Sequence, residues 1–135
     1  MGNTPDIIPT LRYQDARAAI TWLEEVLGFR RVLVVDGSDG PEGSVAHAQL
    51  ALGNGLVMLA SVPTEDEDRI DLGSGPSAIY LVIDDVAAAW KRASSFDVEV
   101  VREFRSEDYG GEGFSIRDPE GNVWSVGSYR PSTEG

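Results

Sequence analysis

The segments IIPTLRY at residues 7–13 and SAIYLVI at residues 77–83 decide the fold, because each is rich in β-prone side chains and runs into a helical sequence. The first leads into DARAAITWLEEVL at residues 15–27, and the second leads into DDVAAAWKRA at residues 84–93. The chain therefore shows the same strand-then-helix plan twice, about half a chain apart. Such an internal repeat predicts two copies of one supersecondary unit.

The repeat continues beyond the helices. Asp15 and Asp85 stand at equivalent helix starts, where a carboxylate caps free backbone N–H groups. Each helix is followed by further β-rich runs that close on a glycine turn, Gly53-Asn54-Gly55 in the first copy and Glu120-Gly121-Asn122 in the second. The sequence therefore predicts an α+β fold of two tandem βαβββ modules, which leave a cleft between their sheets.

Apolar periodicity and turn residues set the expected element boundaries. Module one is expected over about 5–62, a charged and proline-flanked linker over 63–76, module two over about 77–130, and a disordered tail over 131–135. The predicted elements are strands at 6–13, 29–36, 44–52, 55–61, 77–83 and 98–104, helices at 15–27 and 84–94, and a final hairpin near 112–129.

Composition narrows the functional classes. The 135 residues predict a single domain, and the absence of cysteine excludes thiolate chemistry and disulfides. A net charge of −12, with Lys91 as the only lysine, argues against nucleic-acid binding. The acidity either steers a cationic ligand or simply solvates the surface. No apolar run or leader pattern predicts membrane insertion or secretion, so a cytoplasmic protein is expected.

The order of these motifs resembles that of the vicinal-oxygen-chelate superfamily. The pattern comprises LGF at residues 27–29 ending the first helix, the Asp-Asp pair at 84–85 opening the second, and RDPEGNVW at 117–124. That superfamily includes glyoxalase I, bleomycin-resistance proteins, fosfomycin-resistance enzymes, methylmalonyl-CoA epimerase and extradiol dioxygenases. The resemblance covers nearly the whole chain. It implies a single glyoxalase-like domain, with a curved mixed sheet forming a cup, helices outside, and a homodimer.

The resemblance also indicates where a metal ion is held. Enzymes of the superfamily usually bind a divalent ion through His and Glu side chains in the cup. Counted from the neighbouring motifs, these positions fall on Ile8, Ala78 and Ser125, with a less certain fourth near Met58. Such side chains would form an apolar pocket in place of a metal site, so we expect no metal and no cofactor.

Strand alternation from these positions predicts the remaining lining of the pocket. Thr10, Arg12 and Tyr80 share the inward face and supply, with Ser125, the few polar groups. Arg12 either anchors an anionic or carbonyl-bearing ligand or pairs with a neighbouring carboxylate. Tyr109 lies in a glycine-flanked segment that is either a lip over the pocket or a plain surface loop. The ligand-binding set predicted from sequence is Ile8, Thr10, Arg12, Met58, Ala78, Tyr80, Tyr109 and Ser125.

Three functions remain open at this point. The first is a metal-free protein, resembling the bleomycin-resistance branch, that sequesters a small organic or antibiotic-like ligand. The second is a glyoxalase- or dioxygenase-type enzyme that uses a divalent metal at a displaced site or no metal at all. The third is a structural role in which the pocket is filled by its own side chains. The single histidine, His47, lies off the expected ligand strands and identifies no catalytic residue.

Overall fold

A computed structural model describes residues 4–37, 43–62, 76–108 and 110–134. The chain divides into two compact units, with the boundary between residues 75 and 76. The first unit contains β1 (Thr10–Tyr13), α1 (Ala16–Trp22) continued by a π-helical turn (Leu23–Leu27), β2 (Arg30–Asp36), β3 (Val45–Leu52) and β4 (Gly55–Ser61). The second unit contains β5 (Ala78–Val82), α2 (Val86–Ala93), β6 (Glu99–Ser106), β7 (Glu112–Arg117) and β8 (Val123–Gly127).

The two helices begin in the same way. The carboxylate of Asp15 accepts a hydrogen bond from the Ala18 N–H at 3.1 Å, and that of Asp85 accepts one from the Ala88 N–H at 3.0 Å. Each bond satisfies one of the backbone donors that a helix start leaves free. The repeated aspartate predicted from the sequence is therefore a repeated N-cap.

The first helical segment ends at Gly28. Its φ of 84° lies in the left-handed region, which glycine adopts without the steric cost of a Cβ atom. Strand β2 begins two residues later, at Arg30. The glycine therefore turns the chain from the helix into the sheet, as the sequence predicts.

Both units carry a four-stranded mixed sheet of the same topology. The strand orders are β1-β4-β3-β2 and β5-β8-β7-β6, with the first strand parallel to the last in each unit. The remaining pairs are antiparallel. The predicted α+β fold of two βαβββ modules is confirmed.

Each helix packs on one face of its own sheet. Alternate strand residues point toward the helix and form a buried core, because side chains alternate between the two faces of a strand. In the first unit this core includes Leu11, Tyr13, Ile20, Leu23, Leu50, Val57 and Leu59. In the second unit it includes Val86, Ala93, Phe114, Ile116, Trp124 and Val126.

The turn between β7 and β8 is organised by the buried carboxylate of Asp118. One oxygen accepts the N–H groups of Glu120 and Asn122 at 2.9 and 3.0 Å. The other oxygen accepts the Asn122 side-chain amide at 2.9 Å and the Trp124 indole N–H at 3.0 Å. The amide oxygen of Asn122 in turn accepts the N–H of Ser77 at 2.8 Å. The RDPEGNVW sequence thus locks the hairpin and ties it to the start of β5.

Most predicted boundaries agree with the observed elements within two residues. The main difference is β1, which begins at Thr10 where the sequence predicts a strand from residue 6. Pro9 has no N–H to donate, although its carbonyl accepts the Met58 N–H at 2.9 Å and so starts the pairing with β4. The predicted linker, apart from Pro76, lies outside the described residues. Within the described part of the chain, no helix has the length and apolar character needed to cross a membrane.

Candidate functional site

Four polar side chains form a row across the sheet of the second unit, on the face opposite α2. Tyr80 is the register partner of Ser125, Ser125 is the partner of Ser115, and Ser115 is the partner of Arg102. The row therefore crosses β5, β8, β7 and β6 at one level of the sheet. We call these four residues the polar row.

The next level of the same sheet contains two glycines side by side. Gly113 is the partner of Gly127, which in turn is the partner of Val82. A Cβ atom at Gly127 would stand 2.6 Å from the hydroxyl of Tyr80 and 2.8 Å from its ring. The Tyr80 ring therefore lies directly over Gly127, in space that any other residue would fill.

Tyr80 is held in this position by its hydroxyl. The Oη atom donates a hydrogen bond to the carbonyl of Tyr129 at 2.6 Å. Burial of the hydroxyl is the main cause that raises the pKa of Tyr80 above its ordinary value of 10.0, and the negative charge of Glu107 acts in the same direction. The phenol is therefore neutral at physiological pH. The residue as a whole is 42% exposed, so part of it is accessible to a ligand.

The two serines of the polar row are hydrogen-bonded to each other. Their Oγ atoms lie 2.7 Å apart, and Ser115 is buried while Ser125 is half-buried. A hydroxyl has one donor and two acceptor sites, so this pair keeps further sites for a third group.

Glu107, just after β6, carries a carboxylate that is only 4% exposed. The Nη2 group of Arg102 donates to its Oε1 atom at 2.9 Å, and the Nε group of Arg105 donates to the same oxygen at 3.0 Å. The Glu107 backbone is also fixed, since its N–H bonds the Gly111 carbonyl at 2.9 Å. The carboxylate therefore anchors two guanidinium groups beside the polar row.

A cavity of about 290 Å³ opens above these residues. Its volume is at the lower end of the range of small-molecule sites. On the other face of the same sheet, the ring of Phe114 packs against that of Trp90 on α2, with centroids 5.1 Å apart. The cavity lining consists of Ala78, Ile79, Tyr80, Arg102, Glu107, Gly113, Phe114, Ser115, Ser125 and Val126.

Three of the residues predicted from sequence, Ala78, Tyr80 and Ser125, line this one cavity. Four others belong to the first unit: Ile8, Thr10, Arg12 and Met58. Thr10 is the register partner of Met58, and Arg12 is the partner of Ala60 on the neighbouring level. Tyr109 lies outside the described residues.

Arg12 is half-buried on the first sheet. Among the described residues it has no hydrogen-bond or ion-pair partner, so the structure provides no support for its pairing with a neighbouring carboxylate. His47 is also half-buried. It adjoins the fully buried Ala48 on β3 and therefore points to the face opposite α1.

The residues at the metal positions implied by the resemblance do not fit a divalent ion. Ile8 and Ala78 have no donor atom in their side chains, Met58 offers only a thioether, and Ser125 offers only a neutral hydroxyl. Across the described ranges, no three His, Cys, Asp or Glu side chains lie close enough together to hold a metal ion.

Seven of the ten lining residues are absent from the set predicted from the sequence, and three of these seven carry polar side chains: Ser115, Arg102 and Glu107. Ser115 could have been found, because counting outward from the Asp118–Asn122 turn pairs it with Ser125. Arg102 and Glu107 had no such signal. The pairing of β6 with β7 is irregular on both sides of Arg102, so simple alternation does not assign its face.

Comparison with known proteins assigns the chain to a family. It belongs to the Glyoxalase/Bleomycin resistance protein/Dioxygenase superfamily, whose family model matches residues 8–126. The uncharacterized protein Rv0887c of Mycobacterium tuberculosis is 31% identical over 128 residues, which cover 91% of this chain and 74% of that protein.

Solved structures show the same fold. TioX from Micromonospora sp. ML1 superimposes with a TM-score of 0.78 at 24% identity, covering 94% of this chain and 100% of that one. A lactoylglutathione lyase from Agrobacterium tumefaciens superimposes with a TM-score of 0.65 at 22% identity, covering 92% and 94% of the two chains. At these identities the similarity establishes the glyoxalase-like fold and leaves the ligand open.

Proposed function

We propose that this protein binds a small organic molecule in the cavity of the second unit without the help of a metal ion. The observation that carries the proposal is that Ala78 and Ser125, at two of the family's metal-ligand positions, line the cavity themselves. A mainly apolar lining with a few convergent polar groups is the usual composition of a small-molecule site. Here those groups come from the polar row.

The chemistry of the lining favours binding over catalysis. Glu107 is engaged by two arginines, and Tyr80 stays protonated because its pKa is raised. A general base needs a free acceptor. The Glu107 carboxylate is bonded to two arginines, and the Tyr80 hydroxyl is held as a protonated donor to the Tyr129 carbonyl. We therefore propose sequestration of an unmodified ligand. A homodimer as the working form is proposed from the family resemblance alone.

A ligand screen on metal-stripped protein, followed by residue-resolved amide NMR, tests the proposal. We expect at least one bound compound whose amide shifts cluster on Gly113, Ser115, Ser125 and Val126. Tyr80→Ala should weaken that compound about tenfold or more, because the ring forms a wall of the cavity. Shifts spread over the surface, or a screen without binders, would contradict the proposal.

A matched variant separates binding from stability. Phe96 is a 40% exposed aromatic residue that does not line the cavity, so Phe96→Ala removes a comparable ring elsewhere in the unit. It should leave affinity unchanged. If Tyr80→Ala and Phe96→Ala lower the unfolding free energy equally and only Tyr80→Ala loses the ligand, the ring acts in binding.

The metal-free part of the proposal has its own measurement. Thermal unfolding of chelator-stripped protein should not change on addition of Zn, Ni, Mn or Fe(II). A stoichiometric ion with clear stabilisation would overturn it and favour a metal enzyme. Sedimentation analysis checks the proposed homodimer.

A further inference from the structure

The lining of the cavity contains one cationic and one anionic side chain, Arg102 and Glu107. Arg105 lies on the same strand as Arg102, β6, but outside the lining, and it donates to the same Glu107 carboxylate. Two guanidinium groups therefore face the single negative charge of Glu107. The other ion pair on this sheet face, Arg117 with Glu99 at 2.8 Å, is balanced. Arg102, Arg105 and Glu107 together thus carry one net positive charge within a chain of net charge −12.

Arg102 keeps donors for a further partner. Only its Nη2 group is bonded, and its Nε and Nη1 groups have no protein partner among the described residues. The side chain is 42% exposed, whereas that of Glu107 is 4% exposed. A ligand entering the cavity therefore meets the guanidinium and finds the carboxylate already occupied. A guanidinium fork matches a carboxylate in shape and charge.

The serines stand next to this fork. Ser115 is the register partner of Arg102, and the Ser115–Ser125 hydroxyl pair extends from it toward Tyr80. One end of the cavity thus supplies a cation and two hydroxyls, and the other supplies the Tyr80 ring with Ala78 and Ile79. This division is complementary to a molecule with a compact anionic head and an apolar body.

We infer that the cavity takes an apolar or aromatic carboxylate, with Arg102 binding the anionic head and Glu107 positioning Arg102. The inference rests on the proposed function and specifies its ligand class. It differs from the cationic ligand that the overall acidity suggests. Arg102 would bind the ligand carboxylate at hydrogen-bond distance. Surface carboxylates farther than about 8 Å from the ligand would repel it little, because salt largely screens them at physiological ionic strength.

The test uses three probes of nearly the same shape: β-naphthoate, β-naphthamide and β-naphthamidine, which are anionic, neutral and cationic. Affinities are measured by amide NMR titration, which also shows whether the shifts lie on Gly113, Ser115 and Ser125. We expect the naphthoate to bind about tenfold more tightly than the naphthamide, since bonds to charged groups exceed neutral ones by roughly this amount.

Two arginine variants identify the group responsible. Arg102→Gln should abolish the preference for the naphthoate while leaving the naphthamide affinity nearly unchanged. Arg105→Gln is the matched control, because it also breaks a contact with Glu107 but lies outside the lining and is 57% exposed. It should retain most of the preference. Loss of one contact with Glu107 is common to both variants and cannot explain a difference between them.

The outcomes separate this inference from the proposed function. If the naphthamide or naphthamidine binds in the cavity as tightly as the naphthoate, the carboxylate inference is wrong and the proposed function stands. If Arg102→Gln keeps the preference, the role of Arg102 is wrong. If none of the three probes shifts the cavity amides at millimolar concentration, the inference fails, and the proposed function fails with it only if the wider screen finds no ligand.

Discussion

The two units share one backbone plan and differ in what they place on the sheet face opposite the helix. In the second unit the polar row is Tyr80, Ser125, Ser115 and Arg102. The equivalent row of the first unit is Thr10, Met58, Gln49 and Leu33. The core faces are both apolar and buried because they hold the helices. The opposite faces do not pack against a helix and need not be apolar. The two units can therefore differ in the side chains on these faces and still share one fold.

At one pair of neighbouring positions, the residue on one strand limits which residue fits on the next strand. Tyr80 and Gly127 in the second unit occupy the places of Thr10 and Ala60 in the first, since Val82 pairs with Gly127 as Arg12 pairs with Ala60. The large ring needs the glycine beneath it, whereas the small threonine tolerates a methyl group. A side chain that builds the cavity thus determines its neighbour on the next strand.

The largest expected effect concerns the hairpin turns. Asp118→Ala removes the carboxylate that accepts four N–H groups, and leaves donors buried without partners. We expect a loss of about 3–5 kcal/mol in unfolding free energy, measured by urea denaturation. Asn54→Ala in the exposed turn of the first unit is the control and should cost less than about 1 kcal/mol. Equal losses for the two variants would show that the Asp118 hydrogen bonds add no stability beyond that of an ordinary turn.

The second prediction breaks the Tyr80–Gly127 pair. Gly127→Ala places a methyl group against the ring, so Tyr80 must leave its position and lose the bond to the Tyr129 carbonyl. We expect a loss of about 1–3 kcal/mol and weaker ligand binding. In a Tyr80→Thr background, which imitates the first unit, the same substitution should cost less than about 0.5 kcal/mol. Additive losses in the double-mutant cycle would refute the coupling.

A smaller effect is expected at the serine pair. Ser115→Ala or Ser125→Ala alone should each lower the unfolding free energy by about 0.5–1.5 kcal/mol, because one hydroxyl loses its partner. The double variant should cost less than the two single losses together, since it leaves no unpaired hydroxyl. Urea denaturation of the three variants measures this coupling, and strictly additive losses would mean that the pair contributes no interaction.

The smallest effect is the pH dependence at Tyr80. Its folded pKa is raised above the ordinary value of 10.0, so its contribution to stability is fully present below about pH 10 and is lost as pH rises toward the folded pKa. Stability should therefore fall slightly more steeply above pH 10 in the natural protein than in Tyr80→Phe. Chemical denaturation across this pH range measures the difference. Parallel curves for the two proteins would contradict the assigned shift.

Local signals predicted much of the fold and part of the candidate site. The caps at Asp15 and Asp85 and the end of the first helix at the LGF segment needed only neighbouring residues, and each is confirmed. Alternation also placed Ala78, Tyr80 and Ser125 on one face, where they line one cavity. Alternation did not predict that Arg102 and Arg105 act together. Residues three apart on a regular strand point to opposite faces, yet both arginines reach the Glu107 carboxylate. The irregular pairing of β6 breaks the period of two that alternation assumes.

The sequence by itself determined the repeated βαβββ plan, the helix starts and the family, because caps, turn glycines and apolar periodicity act between residues close together in the chain. Only the tertiary structure decided that Arg102, Glu107, Ser115 and Tyr80 surround one cavity. Those residues come from three strands and a strand end, and strand pairing across the sheet brings them together. A row of side chains across a sheet is set by register, which depends on partners far apart in sequence.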